Sequence, residues 1–412
     1  MSLKLHQSES DYMKKRVLIL MPSMFIGGAE RSLIGLLDTF DYSKYDVDLF
    51  LYRHEGELLK YIPKNTNLLP KIDKYGTFDV PIASLIKSKF FLFAIARIIG
   101  KLRLKLKSIL TSQKYGVWAS MQYISRSLLP LLPKIKGDYD LAISFLGIAD
   151  VLIKKVSAKK KIAWNHTDYS TLLPDKSYDI KIYSKLDAVV SVSTPCTQKF
   201  IDTYPQLSNK AITIENILSR SFIMSQAEEK ITDFNKSSSI CLLSVGRFCE
   251  AKNFDNIPEI LKKIRAEGID AKWYIIGSGG DEELIKSKIS QAKIEDYVII
   301  LGKKENPYPY IKACDIYVQP SRYEGKCVSV IEAQILGKPV IITNYDTAQS
   351  QLKDGIDGVI VPMDNNECAA AISKVIMDSK LREHLINNAL NTDYSNSHNI
   401  NSIYKFLENY YA

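Results

Sequence analysis

Seven residues separate Glu324 from Glu332 in the stretch Ser321-Arg-Tyr-Glu-Gly-Lys-Cys-Val-Ser-Val-Ile-Glu332, just after the apolar run Ile316-Tyr-Val318. If a helix follows that run, the first carboxylate lies in the loop entering it and the second about two turns inside. Eight positions amount to roughly 800° of rotation, which brings both side chains within about 80° of one face near the positive end of the helix dipole. Carboxylates accept hydrogen bonds from hydroxyls, and a helix N-terminus attracts phosphate. The pair therefore suits a ligand that joins sugar hydroxyls to phosphate, although two glutamates at this spacing also describe a solvated helix face.

Other strand-end loops carry complementary groups. In Ser244-Val-Gly-Arg-Phe-Cys-Glu-Ala-Lys-Asn253, Gly246 precedes Arg247, and Lys252 sits on the same loop. Two fixed cations can neutralise the charge growing on a departing diphosphate without a metal. Gly27 and Gly28, in Phe25-Ile-Gly-Gly-Ala-Glu30, permit close backbone approach before a helix. This loop is not G-x-G-x-x-G, so nicotinamide binding gains no support. In Trp164-Asn-His-Thr-Asp168, His166 could donate a hydrogen bond to a substrate hydroxyl, with Asp168 orienting it. Gly277 opens the turn Gly277-Ser-Gly-Gly280, and Gly302, in Leu301-Gly-Lys303, marks a loop where a nucleotide base could lie against backbone. Asp138-Tyr-Asp140 matches D-x-D superficially and reads better as a turn before the apolar strand that follows.

These loops need rigid elements beneath them. Short apolar runs alternate with helical patterns from Val17-Leu-Ile-Leu-Met21 to Ile212-Thr-Ile214, and a second series runs from Ile240-Cys-Leu-Leu-Ser-Val245 to Gly358-Val-Ile-Val361. That alternation predicts an α/β protein with two doubly wound parallel sheets facing across a cleft, where ligands bind beyond the strand C-termini. At 412 residues the chain exceeds the size of a single core. The expected division is 1–217 and 218–399, with the polar stretch Ser219–Ser239 as linker.

Composition narrows the class. Apolar residues at 46% and charged residues at 25% are those of an ordinary globular protein. Residues 1–15 contain no apolar core, so no signal peptide is expected, and no run approaches a membrane span. Cys196, Cys241, Cys249, Cys314, Cys327 and Cys368 show no metal spacing and no His partners, which favours inert thiols in a reducing cytoplasm over a zinc site or disulfide framework.

The charge is concentrated in one place. Between Val80 and Gly137 there are eleven Lys and Arg and no Asp or Glu; set against the total of +9, this leaves the rest of the chain at −2. Within that window Phe91, Leu92, Ile95, Ile98, Ile99, Leu102, Leu106, Ile109 and Leu110 gather on one helical sector flanked by Arg97, Lys101, Lys105, Arg103 and Lys107. Residues 85–110 are thus expected to lie on an anionic membrane surface; a domain helix with solvated lysines is the alternative. No nucleic-acid motif accompanies the charge, so nucleic acid is not an expected partner.

Taken together, the order of these segments resembles a retaining GT-B glycosyltransferase of family four, the bacterial group that builds capsule, lipopolysaccharide and glycolipid. The resemblance is carried by Gly27-Gly-Ala-Glu30, His166, Val245-Gly-Arg247 with Lys252-Asn253, Ile276-Gly-Ser-Gly279, Asp315-Ile-Tyr-Val-Gln-Pro-Ser321, Glu324 with Glu332, and Gly337-Lys-Pro-Val340. It implies that Arg247 and Lys252 hold a donor diphosphate, Glu332 the ribose hydroxyls and Glu324 a hydroxyl of the transferred sugar. Backbone from Gly325 through Lys326 and Cys327 to Val328 would meet phosphate or sugar, and His166 would face the anomeric carbon. The family needs no metal or other cofactor. A UDP-sugar is the expected donor, with a GDP-sugar as alternative, and the acceptor is a saccharide or polyprenyl-linked saccharide at the inner face of the cell membrane. The resemblance also implies that the C-terminal helix, 400–412, packs back on the first domain. Lys326 departs from the family pattern, which is apolar or Pro-containing after the first Glu-Gly. A non-catalytic GT-B partner or glycan-binding protein is the alternative function; sugar-nucleotide hydrolysis or epimerisation would keep the fold and lose the acceptor.

Overall fold

The computed structural model describes residues 14–234 and 239–408. The charged start of the chain, residues 235–238 of the expected linker and residues 409–412 of the expected last helix lie outside the described residues.

Seven parallel strands form the first sheet: β1 (Lys15–Met21), β2 (Tyr45–Leu51), β3 (Asn67–Leu68), β4 (Asp138–Ser144), β5 (Ser157–Asn165), β6 (Ala188–Ser191) and β7 (Ala211–Thr213), in the order β3-β2-β1-β4-β5-β6-β7. Alternation along β1 sends Val17 and Ile19 into one core and Leu18 and Leu20 into the other, so both faces are covered. That is why these strands read as continuous apolar runs. The second sheet comprises β8 (Ile240–Val245), β9 (Ala271–Ile276), β10 (Val298–Gly302), β11 (Ile316–Gln319), β12 (Val340–Thr343) and β13 (Val359–Val361), ordered β10-β9-β8-β11-β12-β13.

The order reverses direction between β1 and β4 in one sheet and between β8 and β11 in the other. Loops leaving neighbouring strands at such a switch point diverge and leave a crevice. The Gly27-Gly28 loop follows β1, the Gly246–Lys252 loop follows β8, and the Glu324–Val328 loop follows β11.

Two local expectations change. The polar stretch after Ser219 is not bare linker: the Ser219 hydroxyl accepts from Phe222 N at 3.2 Å and caps a helix, Arg220–Gln226, whose Ile223 enters the second core. Its polarity reflects a cap and a short solvent face. Asp138-Tyr-Asp140 is the start of β4 itself, with Asp140 paired to Lys159 at 2.7 Å. It lies at the N-terminal edge of the sheet, opposite the crevice. The helix Ile400–Leu407 places Ile400, Ile403, Phe406 and Leu407 in a core of the first sheet, with Tyr404 stacked on Tyr45 at 4.5 Å.

The basic segment forms the helix Phe91–Thr111, packed through Phe93, Ala94, Ala96 and Gly100. A Cβ on Gly100 would stand 2.8 Å from Tyr123 O, so its absence lets the helix lie against Val117–Leu128. All nine residues of the expected apolar sector are exposed, Leu110 at 84%. Arg97 is a correction: it is buried and donates to Thr77 O and Val80 O, so it belongs to the packed side and not to the basic flank.

Candidate active site

Between the two sheets lies a cleft of about 490 Å³. The first domain contributes Gly27, Gly28 and His166; the second contributes Gly246, Arg247, Lys252, Gly277, Glu324, Lys326, Cys327 and Val328. Gly302, Gly325 and Glu332 do not border it. The N-termini of helices Gly28–Thr39 and Val328–Ile335 both border the cleft, and a Cβ on Gly28 would sit 3.3 Å from Val328. Two helix ends with their orphan N–H groups favour an anion between them.

The floor on the second domain is built by close backbone contact. Gly277, at φ +155°, lies where a Cβ would be 1.9 Å from Gly246 O. Only glycine fits there, and the contact ties the loop after β9 to the loop after β8. Arg247 is exposed to the cleft, with no ion pair among the described residues.

Lys252 is engaged. Its Nζ lies 2.5 Å from Glu324 Oε1, which also accepts from Ser321 Oγ at 2.6 Å, and 3.7 Å from Cys327 Sγ. Burial works against the ammonium, but the adjacent thiol and carboxylate outweigh it and hold its pKa above that of an ordinary lysine. Ser321 is fixed in turn by Gln319, and Gln319 by Tyr317, so the pair rests on a buried hydrogen-bonded chain.

Across the cleft, His166 Nε2 lies 2.9 Å from Phe145 O. A carbonyl only accepts, so Nε2 carries the proton, and burial pushes the imidazole pKa down to about 4. His166 is therefore neutral at pH 7, with Nδ1 left as an acceptor, so the expectation that it donates to a sugar hydroxyl is corrected. Asp168 does not orient it. Its carboxylate caps the turn at Ser170 and pairs with Lys199 at 2.6 Å.

Two of the sequence candidates are held by the opposite domain. Glu332 begins the second turn of its helix, fully buried, with Arg31 Nη1 3.1 Å away and Tyr308 Oη at 2.9 Å. It does not share a face with Glu324, because Glu324 precedes the helix in a loop. Lys326 meets Glu215 at 3.0 Å and donates to Ser350 O, so its ammonium is already partnered. Gly325 touches the first domain directly, accepting from Ser193 Oγ at 3.1 Å.

Arg31, Asn216, Ser278, Lys303 and Lys304 also border the cleft and were not singled out from the sequence. Position was the available signal: Arg31 lies in the first turn after Gly27-Gly28, Asn216 just after β7, and the two lysines after β10. Among the described residues no three His, Cys, Asp or Glu side chains converge as metal ligands.

This arrangement, two Rossmann-like sheets with a crevice between their switch points, is the GT-B fold. Residues 226–392 match the family described as glycosyl transferases group 1. A glycosyltransferase from Rickettsia africae superposes with a TM-score of 0.64 at 19% identity, covering 97% of this chain and 100% of its own. The Anabaena protein HepE, solved in complex with UDP, superposes at 0.63 with 15% identity, over 95% of this chain and 100% of its own. Among curated proteins, a Campylobacter jejuni N-acetylgalactosamine-N,N'-diacetylbacillosaminyl-diphospho-undecaprenol 4-alpha-N-acetylgalactosaminyltransferase is 25% identical over 210 residues, 50% of this chain and 56% of the relative. This chain spans about half the length of the curated relatives it matches.

Proposed function

We propose that this protein transfers a hexose from a nucleoside-diphosphate sugar, with UDP as the nucleotide, to a saccharide or lipid-linked saccharide, retaining the anomeric configuration and requiring no metal. One observation carries the reading: Arg247 stands open in the same cleft as the Lys252–Glu324 pair and the N-termini of the helices Gly28–Thr39 and Val328–Ile335. The donor diphosphate lies against Arg247 and the Val328 helix end, where charge developing on the leaving phosphate is stabilised. Glu324 accepts from a hydroxyl of the transferred sugar, and Lys252 holds that carboxylate in place. His166 Nδ1 faces the sugar from the acceptor side. The C1–O bond to diphosphate breaks as the acceptor oxygen bonds to C1 from the same face, and the acceptor proton passes to the leaving phosphate oxygen.

The lipid part of the reading is supported by the outward apolar face of the helix Phe91–Thr111, with Lys101, Arg103 and Lys105 beside it. It would seat the first domain on an anionic membrane surface. The C. jejuni relative is named for a diphospho-undecaprenol substrate, which points the same way.

Released nucleotide over a panel of UDP-, GDP- and ADP-sugars tests the donor, and NMR of the product tests the linkage. Turnover of none of the panel, or an inverted linkage, removes the corresponding part of the proposal. A non-catalytic glycan-binding role would give sugar binding with no nucleotide release.

A further inference from the structure

Glu332 is 0% exposed and does not border the cleft. Arg31 Nη1 lies 3.1 Å from one of its oxygens and 3.4 Å from the other, and Tyr308 Oη donates at 2.9 Å. Arg31 belongs to the opposite domain, rests over the Tyr308 ring at 5.5 Å and itself borders the cleft. We propose that Arg31 sets donor affinity from across the cleft: it occupies Glu332, and a ribose diol reaches that carboxylate only as Arg31 lets go. This inference rests on reading Glu332 as the ribose-binding group.

Guanidinium and diol exchange on one carboxylate. A carboxylate with no access to water needs hydrogen-bond donors, and here Arg31 and Tyr308 supply them. A ribose diol brings two O–H donors of its own, which can take the place of the guanidinium without leaving the carboxylate bare. Both cannot be present at once, because the covered Glu332 offers no open approach. In the other ion pairs between the domains at least one partner is far more exposed: Asp346 at 79% with Lys199, Glu215 at 35% with Lys326, Lys303 at 43% with Glu57, and Lys60 at 61% with Glu305, against 9% and 0% for Arg31 and Glu332.

A contact that the ligand must displace lowers ligand affinity by its own free energy, since binding must first break it. Removing Arg31 therefore tightens donor binding. That sign is opposite to the loss expected of an arginine that touches the donor. The structure also predicts that the effect runs through Glu332 and disappears when the carboxylate is neutralised.

UDP titration by calorimetry tests this on the unaltered protein, Arg31→Met, Arg31→Lys, Glu332→Gln and the Arg31→Met/Glu332→Gln double variant, each checked for an intact melting transition. Arg31→Met is expected to bind UDP about tenfold tighter, within the usual range of such couplings. Arg31→Lys keeps the charge but lacks the planar fork, and falls between. With Glu332→Gln in place, Arg31→Met adds nothing. In turnover, Arg31→Met lowers KM for the donor without raising kcat. Weaker or unchanged UDP binding by folded Arg31→Met overturns the inference, as does an equal effect in both backgrounds. If Arg31→Met does not fold, Arg31→Lys decides by the same sign. A protein that binds UDP normally but is insensitive to Glu332→Gln removes the ribose assignment and this inference with it, leaving the rest of the proposed function standing. Failure of the unaltered protein to bind UDP, GDP or ADP removes both.

Discussion

Lys252 donates to Glu324 across 2.5 Å, and both groups border the cleft. The contact fixes both side chains in a largely covered position, so neither acts alone. Lys252→Ala and Glu324→Ala are each expected to lower turnover by roughly two to three orders of magnitude, the scale of losing a fixed charge stabiliser. The double variant should be little worse than the poorer single one, because groups that work as a unit are non-additive. Released nucleotide in steady state measures all three, and multiplied losses in the double variant would separate the pair.

Arg247 presents the opposite case, a cleft cation without an ion pair among the described residues. Arg247→Ala should cut kcat/KM by about 100-fold. It should leave stability within about 0.5 kcal/mol, as for surface substitutions that remove no folded partner. A melting curve beside the kinetic assay distinguishes this from misfolding. Full activity in folded Arg247→Ala would remove the diphosphate from this place.

Strand identity, sheet parallelism and the cleft were legible because burial on both faces leaves uninterrupted apolar runs, as in Ile240–Val245. Gly246, Gly277, Arg247 and Lys252 were legible because they follow such runs immediately. Partnership was not. No spacing rule relates Arg31 to Glu332 or Glu215 to Lys326, since those contacts depend on how one sheet sits against the other. The outward face of the helix Phe91–Thr111 was visible as periodicity, but Arg97 was misplaced: carbonyls at Thr77 and Val80 turn it inward. A helical wheel cannot see acceptors supplied by a distant loop.

His166 is held neutral, its pKa pushed down to about 4 by burial. Its protonation therefore cannot cause an acid limb in activity near pH 6, where an ordinary histidine titrates. His166→Gln is expected to lower kcat roughly 100-fold by analogy with positioned polar catalysts. The ratio of unaltered to variant activity should stay flat from pH 5.5 to pH 8, about 1.5 units or more above that pKa. A ratio that falls toward 1 as pH drops to about 5.5 would show that His166 titrates in that range.

Beneath the first sheet, Asp150 accepts from Ser125 and Tyr178 at 2.8 Å each, and Asp179 accepts from Gln122 and Tyr204 at 2.6 Å. Burial pushes both carboxyls up to about 6, above the unfolded value near 3.9. The folded state thus holds protons that the unfolded state releases, and this contribution to stability is full below about pH 4 and is lost as pH rises through about 6. Asp150→Asn removes one such carboxyl and keeps an acceptor. Relative to the unaltered protein, the variant should gain stability between pH 4 and pH 7, on the order of 1–3 kcal/mol. Denaturant melts at the two pH values measure the difference, and a constant offset would place the carboxyl's pKa near its unfolded value.

The helix Phe91–Thr111 exposes Leu102 at 54%, Leu106 at 60% and Ile109 at 65%, while it packs through Phe93, Ala96 and Gly100. Substituting outward residues therefore alters the surface and leaves the packed side intact. Full burial of one such side chain in lipid is worth about 1.5–3 kcal/mol, and each neighbouring lysine about 1 kcal/mol against anionic headgroups. Leu102→Glu with Leu106→Glu should lower partitioning onto vesicles of phosphatidylglycerol at least about tenfold, since it removes two apolar anchors and adds two repelled charges. Raising salt from about 0.05 to 0.5 M should weaken the unaltered protein's binding, because the Debye length shrinks. Flotation with those vesicles measures both effects, with donor hydrolysis in detergent-free buffer showing that the cleft is untouched. Equal flotation of variant and unaltered protein would leave this face without a membrane role.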